Sequence, residues 1–185
     1  MAKSKKVIRV KVSMLDIDPS YNCREDYGDI QQLKNSIVEN GVKTPLIVYE
    51  VEKEGDLGYM VISGYRRWEA IRQLVEEDGY EDFHIPVIID NNEDEAKRVS
   101  RIITDNDRKP MTALEEAHVF ALLSYKGQSI KEITEKCGRS EKTVRDYLLL
   151  FSADEEMKAK IRDGYITVTA AIKKLKKELR NKNED

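Results

Sequence analysis

Two stretches of this chain place ligand-holding side chains at spacings that simple chemistry can use. The first is Val61–Ala70, VISGYRRWEA. Residues that read as a strand give way to Gly64, then Tyr65, Arg66 and Arg67, then a helix. A glycine at a strand-to-helix turn lets backbone amides approach an anion, and a helix N-terminus favours negative charge there. Adjacent arginines add charge-assisted donors. The chemistry would be phosphate binding, and the plainer alternative is a solvated arginine pair at a helix start. It is not a Walker loop, because the GxxxxGK[ST] pattern is absent.

The second stretch is Gln128–Leu150, QSIKEITEKCGRSEKTVRDYLLL. A short helix over 129–136, a turn containing Gly138 and a longer helix from Ser140 have helix-turn-helix spacing. Thr134 is compact where the second helix comes close, and Ile133, Cys137, Val144 and Leu148 would form the shared core. Arg139, Lys142, Thr143 and Arg145 then lie at the exposed start of the second helix, with Ser129 and Ser140 at the two helix starts. In this motif those early positions face the major groove of double-stranded DNA. Arginine can bond guanine bidentately, while lysine or threonine can hold phosphate. The plainer alternative is a charged helical hairpin of another all-α protein.

The elements that must position these residues follow from periodicity. Residues 7–12 alternate as a strand, and Met14–Pro19 leads into a polar stretch. Asp29–Asn40 carries Ile30, Leu33 and Ile37 at helical spacing and ends at Gly41. Pro45–Val51 and Tyr59–Ser63 read as a hairpin with its turn over Lys53–Gly58. Arg66–Glu77 is a helix with Trp68, Ile71, Leu74 and Val75 on one face, so Trp68 reads as core. Ile85–Ile89 is a buried strand whose proline suits a sheet edge or strand start, and Glu93–Ile103 is a charged helix. From Thr112 the strand signals stop. Thr112–Glu115 and Ser129–Glu132 are capping boxes, with Leu114, Ala117, Ala121 and Leu122 on the face of the first helix. Asp154–Asp163 and Thr167–Lys182 read as two more helices, with residues 181–185 frayed. The expected fold class is α+β: a mixed α/β domain over 1–107, then an all-α domain over 108–185.

Charge follows the same division. The net charge of -3 argues against a generic nucleic-acid coat. Yet residues 1–107 carry 15 Lys+Arg against 22 Asp+Glu, net -7, and residues 108–185 carry 17 against 13, net +4. The basic half is the candidate for phosphate contact, although its tail alone reads as a solvated charge run. Cys23 and Cys137 lie outside CxxC spacing and the two histidines, His84 and His118, are far apart, which disfavours a disulfide scaffold or zinc site. Cys137 reads as a small core residue. No apolar run approaches the roughly 20 residues of a membrane span, and no secretory signal is visible at the start. A cytoplasmic protein is expected.

The order of segments resembles the ParB family of DNA-partition proteins over about residues 14–175. The segments are DPSYNCR (18–24), NGVKTPLIV (40–48), ISGYRRWEA (62–70), IPVII (85–89), TDNDRKPMTALEEA (104–117), the helix-turn-helix, and DGYITVTAAI (163–172). The resemblance implies a ParB/sulfiredoxin-like N-terminal domain that binds CTP with magnesium and closes as a DNA clamp. It also implies a central domain that reads a palindromic site, a C-terminal domain that makes a homodimer, and a partition ATPase or other protein as partner. It places Arg24, Gly64, Arg66, Arg67 and Arg108 around the nucleotide. The expected localisation is nucleoid- or plasmid-associated.

The departures from the family pattern matter. Tyr65 stands where the GERR motif has glutamate. Ungapped, the ENxQR motif meets Thr104-Asp105-Asn106-Asp107-Arg108, so Thr104 replaces the glutamate and Asp105 the metal-binding asparagine; a one-residue gap restores an acid–Asn pair at Asp105-Asn106. Either Asp105 or Asn106 would then hold the metal. Loss of carboxylates threatens hydrolysis more than binding, so nucleotide binding with little or no hydrolysis is expected. The chain stops soon after the helix-turn-helix, implying a truncated or compact relative. A sulfiredoxin reading fails because Gly64-Tyr65-Arg66 holds no cysteine. A serine-kinase reading lacks its carboxylate at Tyr65, and no nuclease-like carboxylate cluster is visible. The competing function is a transcriptional regulator whose front domain is a protein-interaction or scaffold module.

Overall fold

The computed structural model describes residues 6–18, 21–23, 25, 27–53, 55–91, 94–104 and 110–182. The chain divides into two compact units, residues 1–102 and 103–185. The boundary expected from sequence, 107/108, falls among residues outside those described.

The front unit is built on a five-stranded sheet in the order β1-β5-β3-β4-β2. Its strands are β1 (Val7–Lys11), β2 (Leu15–Asp16), β3 (Leu46–Lys53), β4 (Asp56–Ser63) and β5 (His84–Ile89). β1 and β5 are antiparallel, as are β3 and β4; β3–β5 and β2–β4 are parallel. Val10, Leu46, Val48, Val61, Ile85 and Val87 alternate into the core and are buried. Helices α1 (Ile30–Asn40) and α2 (Tyr65–Glu76) pack together, and α2 touches β4. Their junction includes the buried Lys34 ammonium, 2.5 Å from Asp78. Helix α3 (Glu95–Thr104) buries Ala96, Val99 and Ile102 within this unit.

Three details differ from the expectation. The hairpin is longer than its apolar pattern, because Glu52 pairs with Leu57 and Lys53 with Asp56 around Gly55; ladder hydrogen bonds need no apolar side chains. Leu15–Asp16, read as lead-in loop, adds a short edge strand beside Tyr59–Met60. Pro86 lies inside β5, an internal strand, opposite Arg9. The Val12 N–H bonds the Phe83 carbonyl at 3.1 Å. By the alternation of an antiparallel ladder, the Arg9–Pro86 pair therefore falls at a position where no N–H is needed toward β1. On the other side, pairing with β3 starts one residue later, at Val87.

The back unit is helical: α4 (Ala113–Tyr125), α5 (Ile130–Cys137), α6 (Glu141–Phe151), α7 (Glu155–Arg162) and α8 (Val168–Lys182). Both capping boxes form, with Thr112 and Glu115 closing α4 and Ser129 and Glu132 closing α5. Leu114, Ala117, Leu150, Ala153, Met157, Ala171, Ile172 and Leu175 make one core cluster. Helix α4 is more deeply covered than its pattern suggested: Val119, Phe120 and Leu123 are fully buried, while Ala121 and Leu122 are half-buried. In α6 it is Leu150, not Leu148, that closes the core. α8 continues through Asn181 and Lys182, where fraying was expected; residues 183–185 lie outside the described residues.

Candidate nucleotide and nucleic-acid interfaces

In the front unit, β4 ends at Ser63 and the chain enters α2 through Gly64. This residue has φ 105° and ψ 25°, and no side chain caps the helix start. A side chain here would be strained by the positive φ. Its Cβ would also lie 3.0–3.1 Å from the Arg67 guanidinium and 3.1 Å from Leu46 Cγ. No side chain at the N-cap position closes the first turn of α2, a geometry that suits an anion. Arg66 donates from Nε to the Tyr27 carbonyl, and Arg67 donates to the Thr44 and Pro45 carbonyls, the latter at 2.8 Å. The two arginines therefore stitch neighbouring loops to the helix start while keeping their charge.

Tyr65 does not face this turn as the motif comparison suggested. Its ring is buried, and its hydroxyl donates to the Val61 carbonyl at 3.1 Å. Burial, followed by the neighbouring Cys23 and Asp18, pushes its hydroxyl above the ordinary tyrosine value, so it stays neutral. Trp68 is only half-buried, with Arg72 6.0 Å from its ring centroid and tied to Glu69, Glu76 and Glu77. Tyr21 contacts Glu95, and the Arg98 guanidinium lies 4.7 Å from the Tyr49 ring centroid, a contact no motif indicated.

Of the seven residues expected around a nucleotide, Gly64, Arg66 and Arg67 come together at the start of α2. Arg24, Asp105, Asn106 and Arg108 lie outside the described residues. Among the described residues no group of three acidic, histidine or cysteine side chains could hold a metal ion. What is present suits a phosphate. The magnesium ligands expected at Asp105 or Asn106 lie outside the described residues.

In the back unit, α5 ends at Gly138, whose φ of 63° and ψ of 35° turn the chain. Ser140 then caps α6, accepting from the Thr143 N–H at 3.1 Å with its hydroxyl 2.8 Å from that of Thr143. Ile133, Cys137 and Val144 are buried beneath this turn, as expected. Burial pushes the Cys137 thiol up to about 12, so it is an inert core group. Ser129 is occupied by its own cap, bonded reciprocally with Glu132. Lys142 and Arg145 are well exposed, with loose i,i+4 partners at 3.7 Å (Asp146) and 3.4 Å (Glu141).

Arg139 has a different occupation from the base contact expected of it. Its Nε and one terminal nitrogen meet both oxygens of Glu116 in α4, at 3.1 and 2.7 Å. That fork holds its charge, and it ties α4 to the turn. The sequence reading also missed a contribution from α8. A groove of about 1130 Å³ runs between α6 and α8, lined by Lys142 and by Lys173, Lys174, Lys176, Lys177 and Arg180. The lysine-rich tail that read as a solvated run thus shares one surface with the start of α6.

Similarity to known proteins agrees with this geometry. The family profile described as ParB N-terminal domain matches residues 1–106. The nucleoid occlusion protein of Bacillus pumilus is 30% identical over 139 residues, covering 75% of this chain and 45% of that protein. The probable chromosome-partitioning protein ParB of Chlamydia muridarum is 32% identical over 144 residues, covering 76% and 49%. The chain spans about half the length of these curated relatives. The C-terminally truncated ParB of Caulobacter crescentus, solved complexed to the centromeric parS site, has the same fold: TM-score 0.57, 21% identity, 89% of this chain and 82% of that one covered. Among the described residues no helix is long and apolar enough to cross a membrane. A profile match over more than half the residues, on a sheet that delivers its glycine-arginine turn to a bare helix start, establishes that the chain belongs to the ParB N-terminal domain family.

Proposed function

We propose that this chain is a sequence-specific, ParB-type DNA-binding protein that acts in partition or nucleoid occlusion, with a front unit that responds to CTP. The observation that carries the DNA reading is the cationic face formed by the start of α6 and the length of α8. A helix-turn-helix with caps at both helix starts and a glycine turn supplies the rigid frame. Lys142 and Arg145 are the exposed cations nearest the helix start. Arg145 is assigned to a base edge and Lys142 to phosphate, with Thr143 and Ser140 beside them. The family resemblance adds a palindromic site read by a homodimer, and a partition ATPase as partner.

The nucleotide reading rests on the bare start of α2 and its two arginines. A triphosphate set against Gly64, Arg66 and Arg67 would meet N–H groups and two fixed positive charges. Arg24 and Arg108 would close round it, with magnesium held at Asp105 or Asn106. A magnesium ion held there would supply positive charge to offset that of the phosphates. Because Tyr65 points into the core, the turn presents no carboxylate to activate water, and binding without appreciable hydrolysis is the expected outcome.

A second reading, in which the front unit is a protein-contact module, is favoured by one fact: both arginines already hold backbone carbonyls. Two experiments separate the readings. Selection of bound sequences from a random duplex pool, with and without CTP, should return one palindromic motif; an unenriched pool refutes specific recognition. Calorimetric titration of CTP should give heat with the intact protein and none with an Arg66→Ala, Arg67→Ala double variant. No heat from either protein, with or without cognate DNA, leaves the scaffold reading.

A further inference from the structure

The groove between α6 and α8 contains one carboxylate among its cations, and that residue is Asp146. It sits one turn beyond Lys142 on the same face of the candidate recognition helix, four residues on. It is only 8% exposed. One of its oxygens pairs with the Lys176 ammonium of α8, and the other lies 3.7 Å from Lys142. Lys173, Lys177 and Arg180 have no carboxylate partner among the described residues. Lys176 is therefore the lysine on this surface whose charge is held closely from within the fold.

We propose that Asp146 is a specificity-determining residue that acts as an electrostatic brake: it neutralises Lys176, and partly Lys142, so that the groove does not grip any duplex through phosphate alone. The inference rests on the DNA reading above. Sequence-independent affinity comes from cations that replace counterions on phosphates, and the salt dependence of binding counts them. A cation held by a nearly buried carboxylate cannot be lent to a phosphate without leaving that carboxylate unpaired. Every duplex offers the same phosphates, so withholding Lys176 lowers the common background. Contacts to base edges by the exposed start of α6 are left as they are. An uncharged acceptor at position 146 would keep a hydrogen bond to Lys176 but release its charge.

The test compares the parent protein with Asp146→Asn on a random-sequence duplex and on the selected site, across a salt series. Each phosphate newly engaged adds about 0.9 to the slope of log affinity against log salt. Asp146→Asn should bind the random duplex more tightly, steepen the slope by roughly one such unit, and narrow the ratio between selected and random sites. The paired swap Asp146→Asn, Lys176→Gln, which removes both charges and keeps two amides in contact, should return the slope most of the way to that of the parent, leaving only the smaller share that Lys142 gains when the carboxylate is lost. It also serves if the single variant folds poorly. A parent that binds with ordinary salt dependence while Asp146→Asn keeps the parental slope overturns the brake alone. An equal gain in both variants overturns it too, since the extra charge would not come from Lys176. A parent without salt-dependent DNA binding refutes the DNA reading and this inference with it.

Discussion

Replacing Arg139 should loosen the back unit before it says anything about DNA. The guanidinium makes two hydrogen bonds to Glu116, which is 11% exposed, while Arg139 itself is 39% exposed. Breaking a fully buried pair on one side costs about 3–5 kcal/mol, chiefly because the other charge is stranded. Water reaches one flank of this pair, so the cost of Arg139→Ala should fall to about 1–3 kcal/mol. Glu116→Gln should cost less, because the amide oxygen still accepts one bond. The double change should cost less than the sum by at least ~0.5 kcal/mol, since the two residues share one interaction.

The chain offers a clean readout for this cycle. Its single tryptophan, Trp68, lies in α2 of the front unit. Tryptophan fluorescence during urea unfolding therefore reports the front unit. Hydrogen exchange of the α5 and α6 amides reports the back unit and should follow the cycle. Arg139→Lys should recover little, because an ammonium cannot make the fork. If Arg139→Ala leaves α5 and α6 exchange as in the parent yet abolishes recognition of the selected site, the brace is wrong and Arg139 is the base reader that its position in the motif suggested.

Three more perturbations test the frame. Tyr65→Glu, which restores the family's motif, should destabilise the front unit rather than confer hydrolysis: it buries a carboxylate where the hydroxyl now donates to the Val61 carbonyl and Asp18 is a neighbour, at a cost of roughly 3 kcal/mol or more, whereas Tyr65→Phe should cost about 1 kcal/mol. A stable, hydrolytic Tyr65→Glu protein would refute the inward placement. At the α1–α2 junction, Asp78→Asn should destabilise more than Lys34→Met, because the lysine side chain is 7% exposed and the aspartate 36%; the reverse order in urea midpoints refutes that reading. Finally, Ser129 holds the Glu132 carboxyl below its ordinary value, first through the side-chain hydrogen bond. A depressed carboxyl contributes stability that is complete above its unfolded value and is lost as pH falls through the folded one. Protection of the first α5 amides should therefore decline only in acid, and Glu132→Gln should remove that acid dependence.

How far the sequence could be read depended on how local each feature is. Both capping boxes, the Gly138 turn and the start of α2 are set by residues within four positions of one another, and the chain folds there as the pattern says. The placement of Pro86 is a matter of ladder parity, and parity is defined only once β1 and β5 are in register. Tyr65 reads as a motif position until the helix start shows that it points into the core while Arg66 and Arg67 reach nearby loops. Glu116 reads as an ordinary acid in the first turn of a helix, because nothing in the chain announces that Arg139, 23 residues on, will lie beside it.

The same distinction bears on what the cations can do for a ligand. Counting charges treats every arginine and lysine as available. In the front unit, Arg66 is held by the Tyr27 carbonyl, which is neutral, so a phosphate would compete there with a hydrogen bond but not with an opposing charge. In the back unit, Arg139 and Lys176 are held by carboxylates, and a phosphate drawn to either must leave an acid behind with little water around it. Arg66 therefore keeps its electrostatic worth despite being bonded, and Arg139 and Lys176 do not. The groove has six cations, yet its salt dependence should correspond to fewer phosphates than that, with the shortfall located at Lys176. The affinity of the basic unit is limited by its own acids, and what remains for discrimination lies at the exposed start of α6, where Lys142 and Arg145 have only loose partners.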